Sequence, residues 1–160
     1  MVYTNQSRRA FSLIEVVIAV VVLAIAVPPT LNLLDSAASG RVDAINTTRA
    51  TYLSTAVMET VIADLASSDP NLGFDALADS GTYLTTPTTG LYARIESITD
   101  PYTSVGFKYS VSIGELVSAD GTVSGNASED IFRIITVRVG YTSASTASYQ
   151  MPVSIMVSAL

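Results

Sequence analysis

Arg8-Arg9-Ala10-Phe11-Ser12-Leu13-Ile14-Glu15-Val16 joins a short basic leader to an apolar run that holds one carboxylate. From Phe11 to Val27 every position other than Ser12 and Glu15 is apolar. A Glu inside a membrane-inserted helix costs roughly 2.5 to 3.5 kcal/mol on insertion scales, so a segment that served only as an anchor would have no use for it. The run from Phe11 to Val27 would rise about 26 Å as a helix, slightly short of a bilayer core of roughly 30 Å. Leu31, Leu33 and Leu34 can extend it.

The segment resembles the N-terminus of type IV pilins and of the pseudopilins of type II secretion, whose motif is a basic leader, a small residue, then Phe-Thr-Leu-Ile-Glu. Phe11-Ser12-Leu13-Ile14-Glu15 supplies the match, with Ser12 in place of Thr, and Ala10 stands where the family usually has Gly. The resemblance implies that residues 1–10 are a leader, cut between Ala10 and Phe11 by a prepilin peptidase on the cytoplasmic side, and that Phe11 is then N-methylated. Arg8 and Arg9 would hold the leader in the cytoplasm by the positive-inside rule. Glu15, the fifth residue of the processed chain, would meet the new N-terminal amine in its own or the preceding subunit. The implied partners are the peptidase, other pseudopilins or pilins, and an inner-membrane assembly platform with its ATPase. The implied location is the bacterial inner membrane, single-pass with a periplasmic head, and then a periplasmic or surface filament.

Two simpler readings compete for the same residues. Arg8 and Arg9, the apolar Val16 to Leu23 and the small-residue triplet Ala24-Ile25-Ala26 have the layout of an ordinary signal peptide, which would make the chain an exported binding module. A plain signal anchor fits by length. Neither layout accounts for Glu15 at the head of the apolar run.

Composition narrows the function classes. The chain has 8 basic and 14 acidic residues; removal of the leader leaves 6 basic against 14 acidic, a side-chain charge of −8. Phosphate contacts need a basic patch, so nucleic-acid binding is disfavoured. Arg94, Lys108, Arg133 and Arg138 are scattered and read as solvated positions on strands. With 0 Cys and 0 His the chain has no disulfide, no Cys or His nucleophile–base pair and no zinc site of the usual ligand types. Many surface pilins close a C-terminal loop with a disulfide whereas pseudopilins commonly lack one, so the resemblance leans to the pseudopilins.

The expected organisation is a helix over 11–66 and a globular head over 67–160 that packs with helix residues 30–66. Pro28-Pro29 should break or kink the helix, since neither residue has an N–H to donate. An amphipathic stripe then runs through Leu31, Leu34, Ala38, Val42, Ile45, Tyr52 and Ala56 towards Leu65, with Asp35, Asp43 and Asp64 mostly off it. Ser67-Ser68-Asp69-Pro70 ends the helix. Residues 67–90 read as a long connection with one helical turn near Phe74 to Ala78. The period then becomes two: Phe107, Tyr109, Val111 and Ile113; Ile135, Val137, Val139 and Tyr141; Met151, Val153, Ile155 and Val157. Leu91 to Thr99 is a weaker fourth strand, and Pro152 assigns the last strand to an edge. The fold class is α+β, a long helix on an antiparallel sheet of about four strands.

No catalytic constellation emerges, no cofactor is implied, and the chain is expected not to be an enzyme. Asp120, Glu129 and Asp130 share a Gly-containing loop and form a weak calcium candidate, although their spacing matches no calcium motif. The expected function is that of a minor pseudopilin or pilin-like subunit of a type II secretion or type IV filament assembly, acting through helix packing and head contacts. The alternatives are a minor pilin of a surface type IV pilus and the exported, membrane-anchored binding module.

Overall fold

The computed structural model describes residues 12–143 and 147–159. Its elements in chain order are α1 (Leu13–Leu65), α2 (Gly73–Ala76), α3 (Ser80–Thr85), α4 (Leu91–Thr103), β1 (Lys108–Val117), β2 (Phe132–Thr142) and β3 (Ser148–Ser158). Two compact units divide the chain, one ending at Arg41 and the other beginning at Val42.

The first unit is the N-terminal part of α1. Its apolar residues are exposed without exception among the large ones, from Leu13 at 85% to Val27 at 45%. The expected break at Pro28-Pro29 is absent: α1 is continuous through both prolines. The lost donors are those that would have reached the carbonyls of Ala24 and Ile25. Thr30 Oγ1 donates to Ala26 O at 3.2 Å and to Val27 O at 2.7 Å, so a side chain bonds two carbonyls of the same turn.

The second unit is an α+β head whose core is shared by the rest of α1, the short helices and one face of the sheet. α1 buries Ala50, Leu53, Val57, Met58 and Val61, apolar residues at three- and four-residue steps that lie on one face. This differs from the stripe expected from the sequence, since Val42, Ile45 and Tyr52 are 45%, 53% and 65% exposed. Apolar residues occur on more than one side of α1, and only contact with the sheet decides which side is covered. Asp64, expected off the stripe, is 6% exposed.

The sheet has three antiparallel strands in the order β1-β2-β3. Tyr109, Val139 and Met151 align across it, as do Val111, Val137 and Val153, then Ile113, Ile135 and Ile155. These three rows form the inward face, with Ile135, Val137 and Val139 fully buried. A register shift between Ile113 and Leu116 lengthens β1 past its regular alternation. β3 lies at the sheet margin with Pro152 opposite Arg138, the position expected for a residue that cannot donate to a ladder.

The fourth strand is not there, because Leu91 to Thr99 belongs to α4. Leu91, Ile95 and Thr99 are buried at four-residue steps, and the period-two alternation of this segment is a coincidence of composition. Tyr92 fixes α4 to the sheet: its ring meets Tyr109 edge-on at 5.8 Å, and its hydroxyl accepts from the Val111 N–H at 3.3 Å. The connection read as a loop with one turn holds two short helices. Asp79 caps α3, accepting from the Thr82 N–H at 3.1 Å and from Thr82 Oγ1 at 2.7 Å, and these bonds hold its carboxyl below the ordinary range.

Candidate assembly site

α1 begins with a reciprocal pair of bonds. Ser12 Oγ accepts from the Glu15 N–H at 3.3 Å, while Glu15 Oε2 accepts from the Ser12 N–H at 3.0 Å and from Ser12 Oγ at 3.3 Å. A helix leaves its first N–H groups without internal partners, and this exchange between the cap and the third helical residue satisfies two of them. Glu15 is therefore a helix cap as well as the lone charge of its segment. Sequence reasoning weighed Glu15 for its cost and missed Ser12; the signal was in the spacing Ser12-Leu13-Ile14-Glu15, the S-x-x-E pattern ahead of an apolar run. The leader charges Arg8 and Arg9 and the cleavage pair Ala10 and Phe11 lie outside the described residues.

Beyond Glu15 the next charged residue is Asp35. The uncharged stretch 16–34 rises about 28 Å as a helix, close to the bilayer core of roughly 30 Å. Its mean hydropathy and length are sufficient to cross a membrane, and its residues are exposed. α1 thus opens on a capped carboxylate and carries an exposed apolar stretch long enough to cross a membrane, and the α+β head follows it in the chain.

Residues 5–27 match the family model described as the prokaryotic N-terminal methylation motif. That motif is the signature of type IV pilin-like proteins, and this chain carries it. It implies processing by a prepilin peptidase and assembly with other pilins. No curated protein and no solved structure matches the chain.

The loop carboxylates considered for calcium accept hydrogen bonds from side chains and backbone of their own loop. Asp120 Oδ1 accepts from Ser118 Oγ at 2.6 Å, Thr122 Oγ1 at 2.7 Å and the Thr122 N–H at 2.9 Å, and these donors bring its pKa down to about 2. Asp130 accepts from the backbone N–H groups of Ser124 and Gly125, which lower its pKa. Glu129 takes a bond from Asn126 Nδ2 at 3.0 Å. Among the described residues no three of His, Cys, Asp and Glu gather to hold a metal.

One buried cluster was not foreseen. Arg94, read from the sequence as a solvated strand residue, lies on α4 and grips Asp64 with both terminal nitrogens at 2.6 Å. Its Nε donates to Thr89 O at 2.9 Å, and Tyr83 OH donates to Asp64 Oδ2 at 2.5 Å. Burial and the Asp64 carboxylate push the Tyr83 hydroxyl up, and Asp64 raises Arg94. The cluster ties the end of α1 to α3 and α4, a structural role with no substrate-facing group.

Proposed function

We propose that this chain is a minor pilin-like subunit, a pseudopilin of a type II secretion system or the equivalent subunit of a type IV filament. In this reading it is held in the inner membrane with its head in the periplasm and then drawn into a filament by an assembly platform. The observation that carries the reading is Glu15, a carboxylate retained at the head of an apolar helix and held there by Ser12. Cleavage after Ala10 would create an amine one residue before the Ser12 N–H that Glu15 accepts from. A buried carboxylate and a buried ammonium each cost several kcal/mol alone and offset part of that cost as a pair. Pairing between subunits would thereby set the stagger of neighbouring helices. The uncharged stretch 16–34 supports the anchoring step, since it serves equally in lipid and against other apolar helices. A composition free of His and Cys supports a role in binding and assembly without catalysis.

Mass spectrometry of the mature N-terminus is the test. N-methylated Phe11 supports the reading; a new N-terminus at Val27 makes the segment a signal peptide and overturns it. In a second arm, Glu15→Ala should still insert and be cut but should co-purify poorly with other pilin-like subunits after membrane extraction. Co-purification at the wild-type level would leave an ordinary membrane anchor as the better account.

A further inference from the structure

The outward face of the sheet holds a groove of about 350 Å³ lined by Lys108, Ser110, Arg138, Gly140 and Gln150. The register explains why they meet. Lys108, Gly140 and Gln150 share one row across β1, β2 and β3, and Ser110 lies opposite Arg138 on the next. On β2 these positions alternate with the fully buried Val137 and Val139, so they stand on the solvent side of the sheet. Lys108 and Arg138 are diagonal neighbours, a spacing that long side chains bridge.

Two observations set this groove apart from an ordinary solvated sheet face. The first is charge. No Asp or Glu lines it in a chain that has 14 of them, so two cations stand together with no carboxylate between them and repel until an anion enters. The second is Gly140. A Cβ there would meet Tyr149 O at 3.5 Å and Gln150 Cγ at 3.8 Å, ordinary contacts, and the strand pairing is regular at this position on both sides. The sheet itself therefore does not require a glycine. A glycine inside a strand weakens it, and away from a bulge it marks a place where another molecule approaches the backbone closely.

The wall residues select what enters. Lys108 and Arg138 only donate, and the guanidinium fork matches a carboxylate, whereas Ser110 and Gln150 both donate and accept, as sugar hydroxyls do. The outward side chains of the groove are polar, which offers nothing to an acyl chain. A chain of net charge −6 repels a dense polyanion such as nucleic acid, but a single acid group set among hydroxyls can reach two local cations. We propose that the Lys108–Arg138 groove binds a short acidic saccharide, a uronate-type ring whose carboxylate pairs with the two cations while its hydroxyls exchange hydrogen bonds with Ser110 and Gln150. The site goes beyond the filament reading and does not depend on it.

The full-length chain is titrated in an uncharged detergent without a sugar headgroup, with trigalacturonate as the probe and maltotriose and inorganic phosphate as comparisons. Trigalacturonate should bind saturably, and the other two at least about tenfold more weakly, because each lacks half of the recognised chemistry. Lys108→Gln with Arg138→Gln should weaken the uronate by about tenfold or more. Gly140→Thr keeps both charges and suits a strand, and it should weaken binding to a similar degree by raising the floor between them. Circular dichroism checks that each variant is folded. Undiminished binding to Gly140→Thr would be attraction to exposed charge with no groove involved, and it overturns the proposal. So do equal affinity for phosphate, equal affinity for maltotriose, and the lack of saturable trigalacturonate binding to the parent chain.

Discussion

Asp64 sits at the last turn of α1 with its carboxylate gripped by Arg94 and Tyr83, and both of its oxygens are used. Removing one partner of such a cluster leaves the other charge in a site that water reaches poorly. Asp64→Asn should therefore destabilise the head by about 3 kcal/mol, read as a lower urea midpoint at unchanged slope. Tyr83→Phe, which deletes one bond to a charged acceptor, should cost less, about 1.5 kcal/mol. Asp120 offers a separate test by pH. Its folded pKa is depressed to about 2, so its contribution is complete above the ordinary aspartate value and is lost as the pH falls towards 2. Carboxyl NMR should follow a single midpoint near that value, and Ser118→Ala should move it upward. None of the Asp64 cluster was legible beforehand, since Asp64 and Arg94 are 30 positions apart and no local pattern links them. Glu15 was legible because its oddity is local: a charge inside an apolar run announces itself without any fold.

The strands were readable for the same reason. Val111, Val137 and Val153 each stand in a strict alternation, and a half-covered sheet imposes that alternation directly on the chain. α4 was not readable, because Leu91-Tyr92-Ala93-Arg94-Ile95 satisfies both periods and only its contact with Tyr109 and the core settles the matter. Its start depends on Gly90, where a Cβ would lie 2.6 Å from Thr86 N and 2.7 Å from Thr86 O. Those contacts are with backbone and cannot be relieved by a rotamer change. Gly90→Ala should cost about 2 kcal/mol or more and loosen the Thr86–Gly90 turn, visible as faster hydrogen exchange at the α4 N-terminus. The amphipathic stripe of α1 was misplaced because Val42, Ile45 and Tyr52 obey helical spacing as well as the buried Leu53, Val57 and Val61 do. Periodicity says that a face exists, and the sheet chooses it.

At the scale of the molecule, the boundary at Arg41 and Val42 separates exposed apolar helix from a head with its own core. Deleting residues 1–41 should release a soluble domain that keeps its strand content by circular dichroism and melts cooperatively. An aggregated product poor in strand would show that the head needs the removed segment. Within that head β3 is a sheet edge. Ser148–Ser158 contains no charged residue and forms the outer rung of the sheet, a ribbon of backbone groups of the sort other chains pair with. The interruption along it is Pro152, with no proton to share. Neighbouring heads crowded together can slide along that ribbon but find one tooth missing from the zip, and the growth of one sheet into the next stops there.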